Sequence, residues 1–348
     1  MNFHNLSIKE VKKETTNSVS ISFDIPAEYK NNFVFEAGQY LTLETEINGE
    51  KIRRAYSIWK APFENEISVL VKEIEGGVFS TFANNELKEG QRISVASPIG
   101  NFKLEKEGKI LNLFAAGSGI TPIISIIKQQ LFNNQDNKVV LFYANRTEKD
   151  VIFKSELDKL SKTFSSQLTV HHLYTREENS TNSFSGRIDK TNLEIFQNTG
   201  VLNLQADDFY MCGPEEMIFE IKAYLEEKNV FGNKIHFELF SSKEATENKF
   251  DSSIENAKVF VTIDDDEFEY EYTIAAADSL LDAGNESGLD LPFSCKGGVC
   301  CTCKAKIMEG EAKMIKNYAL SEEEVEEGYI LTCQSHPTTE ELVISFDE

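Results

Sequence analysis

Positive charge is scarce in this chain. Its 348 residues carry 35 Lys and Arg against 58 Asp and Glu, a formal net charge of −23. Nucleic-acid binding relies on Lys and Arg to displace counterions from phosphates, so that class is excluded. The acidity either suits an electropositive partner or only keeps the protein in solution. Long apolar runs are also missing. The greasiest stretch, Ile123-Ile124-Ser125-Ile126-Ile127, is far too short to span a bilayer. The opening segment, Met1 to Leu6, passes into Lys9-Glu10-Val11-Lys12-Lys13-Glu14 with neither an apolar core nor a small-residue cleavage site of the kind an export signal carries. We therefore expect a cytoplasmic protein with no membrane insertion. Cysteines number six, and in a reducing compartment they are not expected to pair as disulfides.

The chain has the composition of a folded protein, 41% hydrophobic and 27% charged. It is longer than the roughly 250–300 residues at which a single core stops growing, so two or three domains are expected. Short alternating segments come first, Val19-Ser20-Ile21-Ser22-Phe23, Tyr40-Leu41-Thr42-Leu43 and Ile67-Ser68-Val69-Leu70-Val71. They read as closely spaced strands of a small barrel. From Ile110 the pattern changes to buried strands alternating with helices, which implies a parallel sheet: Ile110 to Ala115, a helix from Pro122, Lys138 to Tyr143, Leu168 to Leu173, Asp208 to Met211, a helix after Pro214, and Lys234 to Phe237. Between Ser241 and Asn256 the composition is that of a linker. Beyond it come a hairpin at Val259–Ile263 and Phe268–Thr273, a short helix at Ser279–Gly284 and a last strand at Leu342–Phe346.

Four of the cysteines, Cys295, Cys300, Cys303 and Cys333, follow the spacing C-x4-C-x2-C…C. This is the ligand spacing of a plant-type [2Fe-2S] centre, in which three thiolates on one tight loop face two bridged irons and the fourth returns from a distant strand end. Structural zinc takes its ligands as two short pairs, and no second pair accompanies Cys333. In the loop Cys295-Lys296-Gly297-Gly298-Val299-Cys300-Cys301-Thr302-Cys303 the paired glycines let backbone N–H groups approach the sulfurs. Cys301 falls outside the spacing and reads as a small residue directed into the domain. Single-electron chemistry is expected here, with a partner docking near Lys296 and its glycine neighbours.

Three further motifs precede the cysteines. Arg54-Ala55-Tyr56-Ser57 offers a guanidinium for phosphate, an aromatic plane for stacking and a hydroxyl for a ring nitrogen. Gly76-Gly77-Val78-Phe79-Ser80-Thr81 is a turn able to open a helix near Ser80 and present free N–H groups to a diphosphate. Gly117-Ser118-Gly119-Ile120-Thr121-Pro122 follows a buried strand and leads a helix, the place for cradling phosphate, but it lacks the third glycine of the dinucleotide fingerprint. Met211-Cys212-Gly213-Pro214 ends another strand, where ligands collect in open α/β sheets. There Cys212 is either a site residue or a buried inert thiol.

In this order the motifs resemble those of the ferredoxin–NADP reductase superfamily, and with the C-terminal cysteine loop the chain looks most like the reductase subunits of ring-1,2-phenylacetyl-CoA epoxidases. The resemblance implies an antiparallel β-barrel FAD domain over 1–106, an NAD(P)-binding α/β domain with a parallel sheet over 107–240, a linker over 241–256 and an α+β ferredoxin domain of β-grasp type over 257–348. It implies that Arg54 meets the FAD diphosphate with Gly77 and Ser80, while Tyr56 stacks on the isoalloxazine and Ser57 approaches its N5. Gly117, Gly119 and Thr121 would cradle the nicotinamide nucleotide, with Cys212, Gly213 and Pro214 at its nicotinamide end. Phe240 either covers the other flavin face or is a core phenylalanine before the linker.

Thr175-Arg176 resembles the Ser-Arg pair of NADP-dependent relatives, and Arg146 and Arg187 would assist at a 2′-phosphate. Glu177 and Glu178 argue the other way, toward NADH. The reaction so implied is hydride transfer from NADPH to FAD, then two one-electron steps through the cluster to an external acceptor. That acceptor would be a separate diiron oxygenase, since this chain shows no second Glu-x-x-His helical pattern. Alternatives are a reductase for another oxygenase, hydroxylase or desaturase, or a redox sensor that keeps the cofactors without delivering electrons.

Overall fold

The computed structural model describes residues 2–104, 108–177, 184–240, 254–274 and 277–348. Glu178 and most of the linker expected over 241–256 lie outside the described residues. Contacts divide the chain into two compact units, 2–240 and 241–348.

Alternating apolar residues build the first sheet. Its strands are β1 (Phe3–Thr15), β2 (Ser18–Asp24), β3 (Tyr40–Ile47), β4 (Glu50–Ser57) and β5 (Ile67–Lys72), then, after helix α1 (Val78–Asn85), β6 (Arg92–Ala96). They run antiparallel in the order β4-β3-β6-β1-β2-β5, and a bridge from Ile58, just past β4, to Val69 brings the two edges together. Leu6, Ile8, Val19, Ile21, Leu41, Leu43, Val69 and Val95 fill the interior. The serines of β2 are buried as well. Ser22 donates to Ser68 Oγ at 3.1 Å and Ser20 to Glu14 Oε1 at 2.9 Å, so a strand that reads as one-sided is covered on both faces at no cost in unpaired hydroxyls.

The second domain of this unit comprises β7 (Ile110–Ala116), α2 (Ile120–Asn133), β8 (Lys138–Asn145), α3 (Lys154–Thr163), β9 (Leu168–Tyr174), β10 (Phe184–Ser185), α4 (Lys190–Asn198), β11 (Asp208–Cys212), α5 (Glu215–Glu227) and β12 (Ile235–Glu238). The strands are all parallel, in the order β10-β9-β8-β7-β11-β12. Helix α2 is buried almost all round, with Ile123, Ile124, Ile126 and Ile127 inaccessible to solvent. A helix buried on most sides needs cover on most sides, and α2 receives it from the sheet on one flank and from the barrel on another: Ser125 Oγ donates to Lys60 O at 2.6 Å. Parallel register places the ends of β7, β8, β9, β11 and β12 along one edge, where Ala115 pairs with Cys212, Cys212 with Glu238, and Asn145 with Tyr174.

The second unit contains β13 (Asn256–Ile263), β14 (Asp266–Thr273), α6 (Leu280–Glu286), β15 (Lys304–Glu309), β16 (Ala312–Met314), α7 (Glu322–Glu326), β17 (Tyr329–Leu331), β18 (Ser335–Pro337) and β19 (Glu341–Ser345). Its main sheet is mixed, ordered β14-β13-β19-β15-β17, with β13 and β19 parallel and the other pairs antiparallel. Ser279 caps α6 by accepting from Asp282 N at 3.1 Å. Leu280 and Leu281 of that helix are buried with Val259, Tyr270, Leu342 and Ile344. Among the described residues no helix is long and apolar enough to cross a membrane.

Candidate functional site

Strand β4 delivers the first motif to the seam between the barrel and the parallel sheet. Arg54 is exposed, and its Nη1 donates to Arg53 O at 2.7 Å. The Tyr56 ring packs 5.4 Å from that of Phe79 on α1, and burial pushes its hydroxyl above the ordinary tyrosine range against the opposing pull of Arg54. Ser57 is buried and donates to Glu238 Oε2 at 3.1 Å. Helix α1 begins at Val78, two residues ahead of the sequence expectation. A β-carbon on Gly77, at its N-cap, would lie 2.4 Å from Ser80 Oγ and 2.5 Å from Ile74 Cγ1, so a larger residue would have to displace those side chains. Ser80 Oγ donates to Gly77 O and accepts from Ile74 N, each at 3.2 Å. Its hydroxyl holds the turn, and the N–H groups of the first helical turn are what the turn has to offer an anion.

The loop after β7 is a single turn, Gly117–Gly119, that runs directly into α2. A β-carbon on Gly119 would fall 2.1 Å from Cys212 O, and one on Gly213 2.6 Å from Met217 Cε and 3.1 Å from Ala116 Cβ. The glycines thus let the loops after β7 and β11 press together, side by side. Pro214 caps α5, accepting from Ile218 N at 3.1 Å. Thr121 Oγ1 donates back to Ser118 O at 2.9 Å, so this hydroxyl shapes the loop, and Tyr143 OH braces it through Gly117 O at 2.9 Å. Beside that hydroxyl Asn145 is buried, its side chain set against Tyr143 with no hydrogen bond of full geometry to Nδ2. A buried donor so weakly engaged next to a glycine loop is one that a bound phosphate or amide would satisfy. Cys212 is fully buried, and burial first, then the neighbouring Glu238, pushes its thiol up.

The three arginines named from the sequence part company. Arg176 N donates to Arg146 O at 2.9 Å, so these two exposed guanidinium groups leave adjacent backbone positions past β9 and β8. Arg187 lies beyond β10, with its Nη1 3.7 Å from Glu216 Oε2 at the start of α5. Glu177 accepts through Oε1 from Glu148 N. Two residues escaped the sequence reading. Lys72 ends β5, and its Nζ reaches to 3.3 Å from where a Gly117 β-carbon would stand; burial first, then Arg146, pushes its ammonium down. Glu238 is the other: burial raises its carboxyl to about 8, with the Ser57 hydrogen bond pulling against it. The available signal was an acid in the run Phe237-Glu238-Leu239-Phe240, which sets it at a strand end beside an aromatic. Phe240 itself is 43% exposed at the end of its unit, which removes the core alternative.

In the second unit the sulfurs of Cys295, Cys300, Cys303 and Cys333 draw together. None is in a disulfide. The Cys300 thiol donates to Cys295 Sγ at 3.1 Å, and Gly297 N donates to the same sulfur at 3.3 Å. Hydrogen bonds from Cys300 and Cys333 hold the Cys295 thiol low, while those to Cys295 and Cys303 push the Cys333 thiol up. Four neighbouring sulfurs with a backbone N–H directed at one of them suit a binuclear centre. Thr332 N and Oγ1 both donate to Cys303 O at 3.1 Å, which ties the distant fourth cysteine to the loop. Cys301 is half-buried, not enclosed as expected. The Lys296 ammonium lies 2.7 Å from Asp282 Oδ1, so the cation offered for docking is already paired.

Comparison with known proteins agrees with this division. The oxidoreductase FAD-binding domain family matches residues 5–104, the oxidoreductase NAD-binding domain family residues 113–222 and the 2Fe-2S iron-sulfur cluster binding domain family residues 261–338. A component of the 1,2-phenylacetyl-CoA epoxidase of Escherichia coli is 35% identical over 351 aligned residues, 99% of this chain and 98% of the relative. The ferredoxin reductase component of 3-ketosteroid-9-alpha-monooxygenase from Rhodococcus rhodochrous is 31% identical, covering 98% of this chain and 96% of its own. Among solved structures, phthalate dioxygenase reductase matches with a TM-score of 0.63 and 25% identity over 99% of this chain and 98% of that one. The chain therefore belongs to the ferredoxin–NADP reductase family, as an NAD(P)H-dependent flavin and [2Fe-2S] electron-transfer reductase component of an oxygenase system.

Proposed function

We propose that this reductase takes electrons from NADPH and delivers them to the diiron oxygenase of a phenylacetyl-CoA epoxidase, in the cytoplasm. The observation that carries the acceptor is the likeness to the Escherichia coli epoxidase component, which runs through all three domains in the same order. The second reading, a reductase for a different oxygenase, is favoured by the near-equal likeness to the 3-ketosteroid monooxygenase component.

In this reading Arg54 and the first turn of α1 hold the FAD diphosphate, Tyr56 lies along the isoalloxazine, and Ser57 with Glu238 serves its N5 side. Gly117, Gly119, Asn145 and Lys72 receive the nucleotide diphosphate, Arg146 and Arg176 its 2′-phosphate, and the four clustered cysteines the irons. FAD held by these residues would supply the conversion between hydride transfer and single-electron transfer, which nicotinamide and the cluster do not make directly. The protein's share is placement. Burial raises the Cys212 thiol and the Glu238 carboxyl alike, which favours the neutral form of each at this strand edge.

Purified protein should hold two irons and one FAD per chain. Mixed with the epoxidase oxygenase, phenylacetyl-CoA and NADPH, it should support epoxide formation. Reduction of a dye acceptor without turnover of that oxygenase, together with turnover of a steroid or amine oxygenase, would move the assignment to the second reading.

A further inference from the structure

The chain has a single tryptophan, and none of the sites above uses it. Trp59 lies two residues beyond Ser57, buried, with its Nε1 donating to Ser68 Oγ at 2.8 Å. Its ring stacks on Phe153, which precedes α3 in the nucleotide domain, at 4.4 Å and 28°. Two ammonium groups lie over the same ring, Lys60 at 4.4 Å and Lys128 at 4.3 Å.

Lys128 stands in the third turn of α2 and is only 4% exposed. Its Nζ is 3.2 Å from Glu64 Oε2 on the barrel and 3.0 Å from Glu156 Oε1 on α3. Burial alone would raise the Glu156 carboxyl, yet Lys128, joined by Lys159 and Lys60, holds that group below the usual glutamate range. One turn earlier Ser125 donates to the Lys60 carbonyl, and four residues later Phe132 stacks on Phe63 at 4.1 Å. Phe63 and Phe132 are both large exposed aromatics, and their mutual stacking accounts for that exposure. Apart from the Lys128–Glu156 pair, which ties α2 to α3, these contacts join barrel residues 60–64 to α2.

The placement matters because of what each partner carries. Trp59 is continuous with the strand end that bears Tyr56 and Ser57, and α2 is continuous with the loop Gly117–Gly119. An ion network around a buried lysine is a weak source of stability but a selector of register, since the Lys128–Glu64 contact forms only when the two surfaces meet in one way. We propose that residues 59–64 form a clasp that fixes the nucleotide loop relative to the flavin-side strand, with Lys128 as the positioning residue that sets the approach of nicotinamide to flavin. This extends the reductase activity and is independent of which oxygenase receives the electrons, so its test uses a dye acceptor.

The test compares holoenzyme with Lys128→Met, Glu156→Gln and the neutral triple variant Lys128→Met/Glu64→Gln/Glu156→Gln. Removing Lys128 alone takes the buried cation from Glu156 and leaves Glu64 with Lys60, 3.4 Å away, as its remaining partner. Flavin reduction by NADPH, followed by stopped flow, should slow by roughly tenfold or more, the effect of a displacement of about an ångström at the reacting atoms. The KM for NADPH should change by less than about threefold, since no phosphate contact is lost. Acrylamide quenching of Trp59 fluorescence should rise, a signal that one tryptophan reports alone and that does not depend on turnover. The neutral triple should restore both shielding and rate, because the seam needs matched groups and not charge. Wild-type flavin reduction in Lys128→Met, or slow reduction in any variant whose Trp59 is as shielded as in the wild type, would overturn the proposal. Should Lys128→Met fail to fold, Glu156→Gln, whose side chain is 31% exposed, tests the same correlation between shielding and rate.

Discussion

Ser57 and Glu238 lie 181 residues apart in the chain, yet the Ser57 hydroxyl donates to Glu238 Oε2 at 3.1 Å across the seam between barrel and parallel sheet. Burial raises that carboxyl from 4.5 to about 8, so the folded protein holds a proton there that the unfolded chain releases. The contribution is complete below pH 4.5 and is lost as pH rises toward 8, so unfolding stability falls through that window. Glu238→Gln should remove this slope, gaining on the wild type between pH 5 and pH 8 by an amount on the order of a few kcal/mol. Chemical denaturation at the two pH values measures it. An unchanged slope in the glutamine variant would show that the carboxyl is ordinary.

Gly119 faces the Cys212 carbonyl, where a β-carbon would stand at 2.1 Å, and backbone atoms have little room to retreat. Gly119→Ala should therefore destabilise the protein by about 1–3 kcal/mol and separate the loops after β7 and β11. FAD absorbance should persist while NADPH-driven flavin reduction falls, with the loss appearing in KM as well as in rate. Equal KM values in the two proteins would place the nucleotide elsewhere.

The parts of this architecture that depend on local spacing can be read directly from the residues. The barrel strands, the alternating α/β segment and the cysteine loop all announce themselves through periodicities of a few residues. What joins distant segments does not. Glu238 and Lys72 acquire their roles only when β12 and β5 fold against loops far away in sequence, and nothing near Arg187 says that Glu216 will claim it. Ser80 and Thr121 sit in the turns their spacing indicates, and each hydroxyl also donates to a carbonyl three residues back in its own turn, a contact the spacing does not announce. Lys296 shows the same limit, a cation visible in sequence whose partner, Asp282, is set by the fold.

Substitution among the cysteines separates ligands from bystander. Cys303→Ser or Cys333→Ser should lose iron and the visible bands of the cluster, and with them reduction of one-electron acceptors, while NADPH still bleaches the flavin. Cys301→Ser should keep two irons per chain and full electron delivery, since its sulfur is half-buried and outside the C-x4-C-x2-C spacing. Iron quantification with absorption spectra decides between these outcomes. Iron retained by Cys333→Ser, with Cys301 needed to retain it, would redraw the ligand set.

In the proposed reading Arg176 and Lys72 answer different parts of the nucleotide, so their removal should give different signatures. The exposed Arg176 guanidinium has Arg146 beside it along the backbone, and a 2′-phosphate is the one feature that distinguishes NADPH from NADH. Arg176→Ala should raise the KM for NADPH by about tenfold, worth about 1.4 kcal/mol, and leave that for NADH nearly unchanged. Lys72 stands at the Gly117 turn, where its ammonium is pushed down by burial and by Arg146 and would be relieved by any diphosphate. Lys72→Met should therefore raise the KM for both nucleotides by a similar factor. It should also weaken the dependence of KM on ionic strength, because one fewer cation meets the phosphates. If Arg176→Ala weakens NADH as much as NADPH, the pair Arg146 and Arg176 does not read the 2′-phosphate, and the proposed preference for NADPH falls with it.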